Sequence, residues 1–295
     1  MGDVTQTHSG GAGIPDRSTA PGRALAGLLG LPGVDAGADL VRDACAQLRF
    51  HEALRRRIPE AATESRVRGA AASAELEGAS YPLEAVRDHM RGALPWSDRP
   101  DPVEAAVRAA VMVTAETEHV AKILRSAPLQ ALARLHVAAM SGQLEPDRLG
   151  RPRQAGEVCE EFVTVGEPLP ADQVPARLAL LADLIRDPSA PAPVVAALVH
   201  AEIATVRPFV RGNGLVARAL ERAYWYASGL DVTGVAVPER GYAQAGATYV
   251  GALMAYVQGT AQGVGVWLQS SLRAQSGGVM EGRAIADAVL RGRLS

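Results

Sequence analysis

The chain has 295 residues, 48% of them hydrophobic, enough for a substantial core in one large or two small domains. Its 30 Lys and Arg against 32 Asp and Glu leave a formal charge of −2, so nothing in the totals points to nucleic acid as a partner. Cys45 and Cys159 are far apart and lack Cys-x-x-Cys spacing, which argues against a disulfide framework or a thiolate metal cluster and fits a reduced, cytoplasmic protein.

Residues 1–37 are rich in Gly, Pro, Ser and Thr with little periodicity and read as a flexible leader. No basic start with an apolar run marks a secretory signal, and no stretch is apolar for long enough to cross a bilayer. The bias toward Ala, Arg, Gly and Pro, with Lys122 the single lysine, reads as high-GC codon usage of a bacterial type, so the arginine surplus carries no functional weight. From Ala38 to Arg57 the apolar spacing of Leu40, Val41, Ala44 and Leu48 predicts a helix closed by Arg55, Arg56 and Arg57 and ended by Pro59. Ser73-Ala74-Glu75-Leu76-Glu77-Gly78 reads as a helix terminus capped by Gly78.

Further helices are predicted over Pro82–Gly92, Pro102–Leu124 and Leu129–Met140, the last carrying His136, for which the sequence offers no partner. The stretch from Gly150 through Arg153 to Val165 breaks the helical pattern. Val158, Phe162, Val163 and Val165 suggest a short extended segment or hairpin there, with a packed loop as the equal alternative. Val174–Ile185 returns to helix. Val194, Val195, Leu198, Val199, Ile203 and Val206 line one face of the next helix, entered through Pro191 and Pro193. His200 lies on it two turns before Arg207, where it reads as a packing histidine in preference to a displaced base, and Glu202 reads as structural.

The segment Arg207-Pro208-Phe209-Val210-Arg211-Gly212-Asn213-Gly214-Leu215-Val216-Ala217-Arg218 joins that helix to another, which Gly229 ends. Gly212 and Gly214 let backbone N–H groups converge at a helix N-terminus, an arrangement suited to a phosphate, although Gly-Asn-Gly alone is also an ordinary turn. Beyond it, Tyr242, Tyr249, Leu253 and Tyr256 predict one apolar helix, followed by a helix at Trp267-Leu268 and an amphipathic tail around Ile285 and Leu290.

The loop resembles the signature of the Fic family: His-Pro-Phe, two positions of which the second is acidic, Gly-Asn-Gly-Arg, two more residues, and Arg. Pro208, Phe209, Gly212, Asn213, Gly214 and Arg218 match. Arg207 stands at the catalytic histidine, Arg211 at the acidic metal ligand and Leu215 at the first arginine. Ser73, Glu77 and Gly78 are similar to the inhibitory helix of family members that carry it N-terminal to the core, which implies a Glu77–Arg218 pair gating the site. The resemblance likewise implies that Gly150, Arg153 and Val163 belong to a flap that aligns a protein target by strand addition.

What the resemblance implies is an all-α Fic/Fido-type bundle with a small β-hairpin flap, spanning about Ser65 to Ser271. The organisation expected is a leader over 1–37, an N-terminal helical region over 38–126, a Fic core over 127–275 and a helical tail over 276–295. Protonated arginine cannot act as a base, and losing a general base costs on the order of 10²–10⁴ in rate. The altered site is therefore expected to bind a nucleotide such as ATP, or another phosphorylated small anion, through Arg207, Arg211, Arg218 and the loop amides, with no metal, no nucleic acid and no membrane, and with an oligomer compatible. Two alternatives stand beside it: a divergent adenylyl- or phosphotransferase acting on a protein hydroxyl, and a scaffold whose arginines pair internally with Glu77 and Glu202.

Overall fold

The computed structural model describes residues 26–293. Its order is α1 (Val34–Arg49), α2 (Ile58–Leu76), α3 (Leu83–Met90), α4 (Pro102–Ile123), α5 (Pro128–Met140), α6 (Val174–Arg186), α7 (Ala192–Val206), α8 (Asn213–Ser228), α9 (Pro238–Ala245), α10 (Ala247–Tyr256) and α11 (Ala261–Leu290), with short 3-10 turns at Glu52–Arg55, Pro146–Arg148 and Val163–Val165. Among the described residues no helix is long and apolar enough to cross a membrane.

The architecture is built around α7. Every residue from Pro193 to Val206 is buried, so α7 is mostly apolar, has no solvent-facing side and must be enclosed by other helices. One side is closed by α8, to which α7 is joined through the loop 207–212, and others by α1, α6 and α11. The helices α4 and α5 cover α8, while α2 lies against α4 and α9. Local chemistry sets the ends: Asp101 accepts from the Glu104 N–H at 2.8 Å and starts α4, and Thr260 accepts from the Gly263 N–H at 3.0 Å and starts α11. Gly212 and Gly229, at φ 87° and 76°, flank α8 in the left-handed region that costs glycine least.

Several boundaries differ from the sequence expectation. Of the expected leader, residues 1–25 lie outside the described residues, and α1 already begins at Val34, inside the rest of it. Pro59 does not end a helix. It sits in the first turn of α2, where its missing N–H has no helical partner to lose, and Arg57 precedes that helix as its cap. The single apolar helix expected through Tyr242 and Tyr256 is two, broken at Gly246, whose φ 55° and ψ −128° no other residue adopts readily. Gly78 does cap α2, at φ 82°.

The tail expected at 276–295 is no separate piece, because α11 runs unbroken from the core to Leu290. Gly278 and Gly282 do not interrupt it. They let it press on the backbone of residues 235–238, where a Cβ would meet Val237 O and Val235 O at 2.7 Å. The expected β-hairpin is also absent: among the described residues, 151–165 form turns and a 3-10 turn with no strand ladder. Glu157 ties the start of this segment into a local knot, accepting from the Gln154 N–H at 2.6 Å and from both Arg151 amino groups.

At Gly241, α9 lies close against α11: an added Cβ would lie 1.8 Å from the main-chain oxygen of Ala274. Gly241→Ala must push the two helices apart. It is expected to cost about 3 kcal/mol or more and lower the thermal unfolding midpoint by several degrees, measured by circular dichroism.

Candidate functional site

The loop 207–212 leaves α7 through Arg207, a non-glycine residue at φ 48° and ψ 67°, a conformation that costs an L-residue on the order of 1–2 kcal/mol. The side chain supplies the compensation. Buried to 1% exposure, its guanidinium donates to the carbonyl oxygens of Glu161 at 2.8 Å, Phe162 at 3.3 Å and Gly166 at 2.5 Å. Burial pulls its pKa below the ordinary value. The expected place of Arg207 as an anion ligand is thus corrected: its donors are spent on the flap backbone.

Arg153 makes the second tie between flap and loop. It is also buried, its Nε donates to the Arg207 carbonyl at 2.7 Å, its backbone N–H to that of Pro208 at 2.7 Å, and an amino group to the carbonyl of Leu169. The flap rides on these bonds. Gly150, at φ 72°, turns the chain into it, packed so closely on α5 that a Cβ would touch the Val137 side chain at 3.0 Å. Val163 is 71% exposed on the 3-10 turn, not in a strand.

The amides of Gly212 and Asn213 converge on one point, a cradle that the chain itself fills. The Glu161 carboxylate accepts from the Gly212 N–H at 2.6 Å, the Asn213 N–H at 2.8 Å and the Asn213 Nδ2 at 2.6 Å. Asn213 is fixed from the other side, since its Oδ1 accepts from the Phe209 N–H at 2.9 Å and its Nδ2 also donates to the Phe209 carbonyl at 2.9 Å. Burial and the nearby charge of Glu77 push the Glu161 carboxyl up, and the Asn213 and Gly212 donors oppose that shift. Glu161 had no signal in the sequence, being one of two adjacent glutamates in an irregular segment.

At the next turn of α8, Arg218 is fully buried. Its Nε donates to Ser73 Oγ at 2.8 Å, and one amino group donates to the Ser73 carbonyl at 3.2 Å and to Glu77 Oε1 at 2.5 Å. Burial alone would lower the Arg218 pKa, and the charge of Glu77 turns the balance to a net rise. Glu77 also covers Gly214, where a Cβ would lie 2.4 Å from its Oε1. Any residue but glycine there would collide with the Glu77–Arg218 pair. Beside it opens a cleft of about 470 Å³ whose lining includes Glu75, Glu77, Glu161, Phe162 and Tyr249.

The sequence model of the Fic/DOC family matches residues 126–224, which span α5, the flap, the loop and most of α8. The chain contains a Fic domain. Solved structures share its fold: a Fic family protein from Desulfovibrio desulfuricans at 20% identity, covering 87% of this chain and 75% of that one with a TM-score of 0.69, and Fic-1 from C. elegans at 17%, covering 92% and 78% with a TM-score of 0.66. A Fic domain containing signaling protein from Bacteroides thetaiotaomicron, at 15% identity, covers 88% of this chain and 99% of its own with a TM-score of 0.57. No curated protein matches the chain by sequence.

Within the Fic domain the expected trio of arginines is not assembled. Arg211 is exposed and has no ion-pair partner among the described residues, and Arg218 holds Glu77 beside the cradle. Glu202 does not join the loop either: it accepts from Arg177 at 2.6 and 2.7 Å and from the Tyr256 hydroxyl. Leu215, at the first-arginine position, is buried in the core. The donor set also fails to suit magnesium. A guanidinium stands at the ligand position, the nearby carboxylates are engaged by amides and Arg218, and no group of three metal-ligating side chains occurs among the described residues.

His136 and His200 resolve differently. His200 is enclosed by Glu221, whose Oε2 lies 2.6 Å from Nδ1, by the Tyr249 hydroxyl at 2.8 Å, and by the rings of Tyr242 and Trp267; burial drives its pKa well down, as packing requires. His136, without a partner in the sequence, is a strut of the site. Its ring stacks on Phe209 at 3.8 Å, its Nδ1 accepts from the Gly150 N–H at 2.9 Å, and its Nε2 donates to the Arg211 carbonyl at 3.0 Å. The Gly150 donor fixes the neutral tautomer, and burial lowers the pKa to about 4.

That depressed pKa gives a pH dependence with a definite sign. Unfolded histidine binds a proton near pH 6.5 and the folded one near 4, so its contribution is whole above pH 6.5 and is lost as pH falls toward 4, by about 3 kcal/mol. Denaturant midpoints of wild type and His136→Gln, compared between pH 7 and 4.5, are expected to converge on acidification. Glu77→Gln, which leaves Arg218 buried without its counter-charge, is expected to lower stability by about 1–3 kcal/mol at pH 7, measured by urea unfolding.

Proposed function

We propose that this protein is a Fic-like module that binds a nucleotide or another phosphorylated small anion without magnesium, gated by Glu77, and that it does not carry out classical magnesium-dependent AMP transfer. The observation that carries this reading is that the Gly212 and Asn213 amides and the Arg218 guanidinium, side by side at the N-terminus of α8, each hold a carboxylate. Carboxylate and phosphate oxygens satisfy the same donors, so a site that takes two internal carboxylates has the chemistry for a phosphate. Against transfer stands Arg207, a guanidinium bound to three carbonyls at the position of the family base, with no lone pair to accept a proton.

A scaffold role is the second reading, and one observation favours it: Arg207 and Arg218 both find internal partners, leaving the cleft with an acidic lining. Exposed Val158 and Val163 on the flap would then meet a protein partner, as they would meet a target in the first reading. A divergent transferase acting on a protein hydroxyl would need a base, which the loop does not offer.

Calorimetric titration of ATP and ADP separates these readings. The anion reading expects binding to Glu77→Gly in the absence of magnesium, at least tenfold tighter than to wild type and abolished in Glu77→Gly/Arg218→Ala. No heat in any variant removes it in favour of the scaffold. Binding that needs magnesium, with label from ATP appearing on protein, revives the transferase.

A further inference from the structure

The flap and the signature loop exchange charges. Arg207 of the loop donates to the carbonyl oxygens of Glu161, Phe162 and Gly166, and Glu161 of the flap takes the amides of Gly212 and Asn213. Each side chain satisfies backbone groups of the opposite segment. Two residues at the centre of this exchange, Phe162 at φ 53° and Arg207 at φ 48°, are the non-glycine residues in the left-handed region among those described. Backbone strain gathered at one contact, and held there by reciprocal bonds, is what a two-state closure stores.

We propose that Glu161 is an intramolecular ligand of the amide cradle and that, together with Arg207, it latches the segment 157–168 shut over the site, as a gate separate from Glu77. The two gates occupy different donors, Glu161 the amides and Glu77 the Arg218 guanidinium. Opening the second therefore leaves the first in place. A tethered carboxylate meets the cradle at a high effective concentration, so an external anion binds only to the fraction of molecules in which Glu161 has left, and its apparent affinity falls by that fraction. What enters after Glu161 leaves rests on the anion-site reading above; the latch itself does not.

Hydrogen–deuterium exchange on the full chain tests the latch without any ligand. In Glu161→Ala the amides of Gly212 and Asn213 and those of residues 157–168 are expected to exchange at least tenfold faster than in wild type or in the exposed neighbour variant Glu160→Ala, with α7 unchanged. Unchanged exchange in the flap and loop overturns the proposal, as does equal acceleration in α7, which would mark general unfolding. Should Glu161→Ala fail to fold, Glu161→Gln keeps the side-chain volume and reads the same amides. Calorimetry with inorganic phosphate and ADP then compares Glu77→Gly with Glu77→Gly/Glu161→Gln. At least tenfold tighter binding in the double variant is expected, and equal affinity overturns displacement of Glu161. Fast flap exchange with no anion bound by either variant would remove the anion site while leaving the latch standing.

Discussion

A helix buried on every side imposes one constraint on everything near it: no polar group at its ends can turn to water. From Pro193 to Val206, α7 meets that condition, and α8 nearly meets it from Asn213 to Trp225. The loop between them is accordingly satisfied from within the protein. Asn213 bridges Phe209 and the flap, Arg153 caps the carbonyl of Arg207, His136 accepts from Gly150 and donates to Arg211, and Arg207 reaches back to the flap carbonyls.

The same constraint explains the charged residues along α8. Arg218 is answered by Ser73 and Glu77 at the end of α2, and one turn further Arg222 pairs with Glu239 at 2.7 and 2.8 Å while touching Ser65 Oγ at 3.2 Å. A Cβ on Gly69 would lie 2.6 Å from the Arg222 amino group, so α2 owes its seat to small residues. Buried pairs of this kind fix which helix sits where more than they add stability, because desolvation offsets much of their attraction. They set the position of α2 and with it the position of Glu77, so the Glu77–Arg218 pair follows from the packing.

Much of this was legible in the residues themselves. Apolar spacing located the helices from α3 to α8 within a residue or two, since those segments bury one continuous stripe or, in α7, all faces. The Gly-Asn-Gly loop and the Ser73, Glu77 and Arg218 constellation could be named because the chemistry of each is local: glycines without side chains, and a carboxylate opposite a guanidinium. Pro59 misled for the opposite reason, and Gly246 and Gly278 carried no sign of their roles. Proline is equally at home in a first helical turn, and a glycine can break a helix or let another backbone approach it, and only the neighbour decides between them.

The sequence by itself therefore determined the helical class, the Fic-like loop, and the Ser73, Glu77 and Arg218 constellation. Tertiary structure alone decided where the charges point. Arg207 and Arg211 are two guanidiniums four residues apart, yet one is buried against carbonyls and the other stands in solvent. Glu161, one of a pair of glutamates in an irregular segment, ends in the cradle. No periodicity encodes such placements, because they depend on which backbone groups a fold leaves unpaired, and that is known only when the helices have met.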